Sequence, residues 1–294
     1  MKLRHLTDTF FRYLFLVAGV SAIGILFSIF IMLAINGLQT FADVSIAQFI
    51  LSAQWNPSAF GEPSYGILAL VASTFMVTVG AMIIAVPLGI GTAAYISEIA
   101  PSYIRETLKP VVEILAGIPS VVVGFFGIVF LGPLIADMFN LTSGLNALNG
   151  SILLAVMALP TIVSVSEDAL RSVPKEFKEA SYALGVNRWL TLIKITLPAA
   201  SSGIVAAVML GVGRAIGETM TVLMATGNAL QMPGSFFDSV RTMTANIAIE
   251  LGEVPFGTTH YYGLFAVGLV LFLMSLAVNI TSEHFTKKYR WTRK

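Results

Sequence analysis

The chain has 294 residues, 56% of them hydrophobic and only 11% charged, with a mean hydropathy of +0.85 and a formal net charge of +1. A soluble domain carries about a quarter charged residues, so this composition excludes one and implies a protein that crosses a membrane several times. The absence of cysteine excludes a disulfide, a thiolate metal site and a cysteine nucleophile, and His5, His260 and His284 lie too far apart in the sequence to suggest a site.

Six apolar runs follow one another. The first, residues 13–35, comes after a basic start with Lys2, Arg4 and Arg12. It exceeds the roughly 7–15 apolar residues of a secretory signal and meets the ~20 that a spanning helix requires, so an uncleaved first transmembrane helix is expected. The others are residues 67–96, 110–135, 149–165, 199–226 and 262–281. Pro87, Pro119 and Pro160 should kink or interrupt the second to fourth, which neighbouring helices can tolerate by satisfying the freed backbone groups. In the long loop before the last run, Val240, Met243, Ile247 and Leu251 recur at spacings of three and four, the pattern of an amphipathic helix.

Excess positive charge stays on the cytoplasmic side of a membrane. With the N-terminus inside, the cytoplasmic segments hold Lys2, Arg4 and Arg12, then Arg105 and Lys109, then Arg171, Lys175, Lys178, Arg188 and Lys194, then Lys287, Lys288, Arg290, Arg293 and Lys294. The outer segments hold Arg241 alone, and Arg214 falls within the fifth run. This asymmetry places both termini in the cytoplasm, and the C-terminal basic run suits anchoring to inner-leaflet lipid. Nothing in the pattern indicates a nucleic acid partner.

No Gly-x-x-x-x-Gly-Lys-Ser/Thr phosphate loop occurs, and Gly211, Gly213 and Gly217 miss the dinucleotide-binding spacing by one residue. A transporter of this sequence binds no ATP itself and must draw work from a partner. The segment to receive that partner is the basic interruption at 174–198, PKEFKEASYALGVNRWLTLIKITLP. There Glu179, Ala180, Gly185, Ile195, Leu197 and Pro198 follow the order Glu-Ala-x(4)-Gly-x(9)-Ile-x-Leu-Pro. Small Ala180 and Ala183 allow close approach and Gly185 permits the turn that ends a helix. The plainer alternative is an amphipathic cytoplasmic helix with no partner.

This stretch resembles the EAA motif of ABC importer permeases. The resemblance implies that Glu179, Ala180, Ala183 and Gly185 form a helix-turn-helix that docks on an ATPase. Residues 214–228 (RAIGETMTVLMATGN), 116–127 (AGIPSVVVGFFG) and 241–253 (RTMTANIAIELGE) are similar to the permeases of the phosphate ABC importer, and residues 55–68 (WNPSAFGEPSYGIL) resemble its PstC-type subunit more than its PstA-type.

Deep in the fifth run, Arg214 and Glu218 stand at i and i+4, where they can pair. A charge at a spanning helix's centre costs roughly 2.5–3.5 kcal/mol on insertion scales, so it is expected to face a cavity or a partner. Two readings stay open. The pair fixes packing beside Gly213-x-x-x-Gly217, a close-approach pattern, or Arg214 meets an anionic substrate with its fork of donors. Thr219 and, in the fourth run, Thr161 could line the same path, although such hydroxyls also bond helix carbonyls. Arg241 either meets the substrate outside or pairs locally with Glu250 or Glu253.

The expected molecule is an all-α integral membrane protein of six transmembrane helices in a bacterial inner membrane. Residues 1–66 form an N-terminal segment, first helix and outer loop. Residues 67–294 form a five-helix permease core with a coupling loop at 169–198 and a basic tail. The resemblance implies no enzymatic activity and no cofactor on this chain, ATP and Mg being used by a dimer of partner ATPases. It implies a second, PstA-type permease, a periplasmic phosphate-binding protein, and phosphate as cargo. A permease for another oxyanion, sulfate or molybdate, is the neighbouring alternative, and a gradient-driven anion transporter the more distant one.

Overall fold

A computed structural model of the chain describes residues 2–59 and 61–288, with side chains from 10 to 59 and from 61 to 285. The side chains of Lys2, Arg4, His5 and the C-terminal basic run lie outside the described residues.

The first helix, α1 (Lys2–Gln39), is 38 residues long and leads through a 3-10 turn to α2 (Ile46–Leu51). A small antiparallel pair follows, β1 (Trp55–Asn56) with β2 (Ser64–Tyr65), Trp55 facing Tyr65. Helix α3 (Leu68–Ala94) runs on into a π-helical turn, Tyr95–Ile99. After α4 (Ser102–Ala116), the next span is made of α5 (Ser120–Phe126), a second π turn (Gly127–Leu131) and α6 (Gly132–Phe139). Helix α7 (Ala147–Arg171) precedes a helical hairpin of α8 (Lys175–Ala183) and α9 (Arg188–Thr191). A third π turn (Leu192–Thr196) and α10 (Leu197–Ala199) lead to α11 (Ser201–Gly217), then α12 (Met220–Ala225), α13 (Met243–Glu250) and α14 (Thr259–Lys288).

Among the described residues, five helices are long and apolar enough to cross a membrane, and six spans result when the arm Arg188–Ala199 and α11, bent by 71° at Ala200, are taken together. The expected number of spans is matched, but two of their limits are corrected. The third span is Ser120–Phe139 rather than 110–135. Residues 102–116 form an amphipathic helix whose apolar Leu108 and Val112 lie against the core while Glu106 and Glu113 are exposed. The fifth run is broken at Glu218, which has extended backbone (ψ 133°) between α11 and α12. Of the three prolines, Pro119 caps α5 and interrupts the chain, whereas α3 and α7 continue through Pro87 and Pro160.

The outer faces are apolar and open. Phe15, Ile23, Ile83 and Phe125 are exposed by 58–71% of their areas, a surface that water would not tolerate at this extent and that lipid or partner helices would cover. Lipid tails are as apolar as leucine, so association of the spans relies on close packing and hydrogen bonds. Accordingly, the seam between α3 and α7 is built from small residues, Ala81, Ala85, Ala155 and Ala158, all buried. Ser151 Oγ donates to the Ala147 carbonyl at 2.7 Å and lies 3.3 Å from the Val77 carbonyl across the seam. At the π turn the Gly127 carbonyl accepts from Gly132 N and also from buried Asn149, whose Nδ2 donates to Gly127 O and Gly144 O at 3.0 Å each.

Candidate coupling surface and pathway

The hairpin carrying the expected coupling residues is fixed by local chemistry. Gly185 adopts φ +78°, the left-handed conformation open to glycine at little cost. Around it, Val186 N donates to Ser181 O at 3.2 Å and Gly185 N to Tyr182 O at 2.9 Å, the two reverse bonds of a Schellman ending. Asn187 restarts the chain as the cap of α9, accepting from Leu190 N at 2.8 Å. Across the turn, the buried Ser181 and Thr191 hydroxyls share a 2.8 Å hydrogen bond.

One face of the hairpin is anchored and the other is open. Phe177 and Leu192 join the cluster of Ala93, Ile96, Leu170 and Val173. Glu179, Ala180, Ala183 and Gly185 are all exposed on the opposite side. Beside them Leu184 is 84% exposed and Trp189 62%. The motif residues therefore form one continuous surface, and that surface is partly apolar.

Behind the hairpin lies a charged layer. Lys178 Nζ sits 2.6 Å from Glu98 Oε1, on the π turn that ends α3. Arg105 of α4 donates from Nε to the Ile96 carbonyl at 2.9 Å and from its Nη2 to the Ser97 carbonyl at 3.0 Å. One turn along α4, Lys109 lies 3.5 Å from buried Glu167 of α7, which also holds Arg171 at 2.8 Å. The sequence assigns Arg105 and Lys109 to topology and Lys178 and Arg171 to the basic docking stretch as well, and does not single out Glu98 and Glu167 as their partners. An acid just past the runs 67–96 and 149–165, on the side where basic residues gather, is the available signal.

The expected charge pair in the fifth span does not form. Because α11 ends at Gly217, Glu218 leaves the helical register that would place it beside Arg214, and among the described residues no carboxylate pairs with Arg214. Arg214 is exposed in the last turn of α11, where a cation complements the negative end of the helix dipole. Glu218 Oε1 turns forward, 3.5 Å from Thr221 N and Thr221 Oγ1 at the start of α12. The break thus places a cation on the end of one half-helix and an anion at the start of the next. Gly213 and Gly217 have nothing within 4 Å of an added Cβ, so they make no close approach within this chain; Gly211 does, against Ile162 at 2.9 Å.

Thr219 and Gly217 border a cleft of about 820 Å³ that also takes in Thr244, Ile247, Phe256 and Phe265. Thr161, half-buried on α7, is not among the residues lining it. Sequence reasoning missed Thr244, whose Oγ1 donates to the Glu218 carbonyl at 2.8 Å and so holds the unwound segment against α13.

The end of the molecule bearing Arg241 has its own polar knot. Arg241 Nη1 pairs with Glu250 Oε1 at 3.0 Å, one of the two partners expected for it, and its Nε donates to the Asn228 carbonyl at 2.9 Å. Glu250 Oε2 accepts from Trp55 Nε1 at 2.9 Å and lies 2.8 Å from His260 Nε2. Burial lowers the Arg241 pKa, opposed by the nearby Glu250 carboxylate. His260 therefore belongs to a cluster that its spacing in the sequence concealed. The expected amphipathic helix is met in part by α13, which holds Met243, fully buried, and Ile247; Val240 precedes it in a bridge with Gly227, and Leu251 follows it, 40% exposed.

A bundle of apolar spanning helices with an exposed helical hairpin and a broken penultimate span is the architecture of a membrane subunit. Residues 85–291 match the family described as the binding-protein-dependent transport system inner membrane component, and the chain belongs to that family. It is a permease of an ABC importer, a multi-pass and non-catalytic membrane component. Among its relatives, a probable ABC transporter permease protein, YqgH of Bacillus subtilis, is 44% identical over 84% of this chain and 81% of the relative. The phosphate transport system permease protein PstC of Mesorhizobium japonicum is 34% identical over 93% of this chain and 88% of the relative. The resemblance to PstC-type permeases read from residues 55–68 is matched at the level of the whole chain. A solved bacterial ABC transporter involved in the import of the acidic polysaccharide alginate has the same fold, at 16% identity and a TM-score of 0.64 over 97% of this chain and 99% of that one.

Proposed function

We propose that the chain forms, with a second permease of PstA type, the membrane pathway of an ATP-driven importer for inorganic phosphate. The observation that carries this reading is Arg214, an exposed guanidinium at the end of a broken spanning helix, without a carboxylate partner among the described residues. A guanidinium so placed can offer parallel N–H donors to the oxygens of a passing oxyanion. The PstC relatives support phosphate as that oxyanion. Glu218, Thr219 and Thr161 are assigned to the same pathway, Glu218 setting the geometry of the break.

The basic end faces the cytoplasm, as the asymmetry of lysine and arginine requires. A dimer of ATPases docks there on the open face of Glu179, Ala180, Ala183 and Gly185, and supplies the ATP and Mg chemistry. A periplasmic phosphate-binding protein delivers cargo at the end that holds Arg241. ATP binding closes the ATPases, displaces the two coupling hairpins and opens the pathway outward, and hydrolysis resets it. The core 67–294 performs this work and residues 1–66 add a peripheral helix.

The test is uptake of radiolabelled phosphate by the four-subunit complex in proteoliposomes with the binding protein outside and ATP inside. Uptake should depend on ATP, and Arg214→Gln should abolish it while the complex stays assembled. Normal uptake by that variant would reduce Arg214 to a packing residue. Labelled sulfate or molybdate entering in place of phosphate would move the chain to another oxyanion, and uptake without the ATPase would overturn the importer reading.

A further inference from the structure

The coupling hairpin is joined by the chain to only some of the bundle. Three residues, Ser172 to Pro174, connect α8 to α7. Downstream, α9 reaches α11 through a π turn and a 71° bend at Ala200, a compliant route. Helix α3, packed along α7 and α11, has no covalent path to the hairpin shorter than the whole of α4 to α7.

We infer that the Lys178–Glu98 ion pair is the element that carries displacement of the coupling hairpin into α3, so that α3 and α7 move as one body. The inference rests on the docking assignment of the hairpin to an ATPase. The pair joins residues 80 positions apart at 2.6 Å. Its side chains are 18% and 15% exposed, so solvent and salt screen it less than a surface pair.

The receiving end is held ready. Ser97 Oγ donates to Glu98 Oε1 at 3.2 Å, and the Ile96 and Ser97 carbonyls are clasped by Arg105. Ala100 N closes the π turn on Tyr95 O at 2.8 Å. Helix α4 thus braces the end of α3 with Arg105 and the end of α7 with Lys109 on Glu167. Phe177 and Leu192 of the hairpin also pack on Ala93 and Ile96 there, an apolar contact that can slide; Lys178 adds the directional, charged contact, and both its partner and the partner's backbone are fixed. Lys178 and Glu98 are therefore positioning residues: they touch neither cargo nor nucleotide.

The experiment uses the assembled importer in proteoliposomes, with copurified ATPase, hydrolysis and labelled phosphate uptake read on each preparation. Lys178→Met and Glu98→Gln should retain the ATPase and its hydrolysis, and lower phosphate taken up per ATP by about tenfold, inside the 5- to 150-fold span of typical coupling energies. The exchanged double variant Lys178→Glu/Glu98→Lys should regain most of the lost uptake. Unchanged uptake in either single variant, or a double variant no better than the singles, overturns the inference. Loss of the ATPase from the single variants also overturns it, because the pair would then be part of the docking surface. Gly185→Asp separates the underlying assignment: if it leaves ATPase binding intact, the docking reading fails, whatever the ion pair does.

Discussion

Thr244 Oγ1 donates to the main-chain carbonyl of Glu218 at 2.8 Å, tying α13 to the one extended residue between α11 and α12. The same hydroxyl lies 3.1 Å from that of Thr242, the cap of α13, which accepts from Ala245 N. A carbonyl freed by a broken helix at membrane depth needs such a donor. Thr244→Val should destabilise the protein by about 1 kcal/mol, the scale of one such bond, and reduce transport further by letting the break re-form as helix. Thr244→Ser keeps the donor and should behave as the parent. Thermal unfolding of the detergent-solubilised complex and uptake in vesicles measure the two effects.

Gly185 supports a second prediction. An added Cβ meets nothing within 4 Å, so any cost of substitution comes from its φ of +78°. Gly185→Ala should cost about 1–2 kcal/mol for a left-handed residue, and Gly185→Asn less, since asparagine tolerates that region. Because the hairpin sits on the surface, the loss should appear as weaker ATPase copurification in the order Gly, Asn, Ala, with little change in the chain's own thermal stability.

The sequence made the number of spans legible because each needs about 20 apolar residues and few compete for the assignment. The helical hairpin itself was legible too, since Gly185 acts through local backbone rules at its turn. What escaped depended on tertiary placement. The break at Glu218 falls where Arg214 and Glu218 lower the local hydropathy, a dip equally compatible with a paired charge in continuous helix, and the donor that compensates it, Thr244, is 26 residues away. The Arg214–Glu218 spacing suggested a pair only on the assumption of continuous helix. Trp55 and Glu250 are separated by 195 residues, and no periodicity connects them.

Two glycines in α11 distinguish packing inside the chain from packing against a partner. At Gly211 a Cβ would meet Ile162 at 2.9 Å, whereas at Gly213 it would meet nothing. Gly211→Val should therefore destabilise the isolated chain by about 1–3 kcal/mol through overpacking. Gly213→Val should leave its fold unchanged. If the face of α11 carrying Gly213 meets the second permease, that variant should still be inserted and folded but should fail to copurify with it. Fluorescence-detected gel filtration of the chain alone and of the complex reads both.

Glu250 joins Trp55, Arg241 and His260 through two oxygens, and Trp55 itself is 2% exposed against Tyr65. Glu250→Gln removes the charge that Arg241 pairs with and leaves the largely buried guanidinium with only neutral acceptors, the Asn228 carbonyl and Asn246 Oδ1. Breaking a fully buried pair costs about 3–5 kcal/mol; with both partners 16% exposed, part of that is recovered by solvent and a loss of about 1–3 kcal/mol is expected. Because β1 would lose its tie to α13, Trp55 emission should shift to the red. Trp189, 62% exposed on the hairpin, and Trp291 would mask the change, so the measurement belongs in a Trp189→Phe/Trp291→Phe background. Arg241→Met with Glu250→Gln removes both charges and should recover part of the lost stability. An unshifted spectrum in Glu250→Gln would mean that the apolar packing of Trp55 alone holds the first outer segment in place.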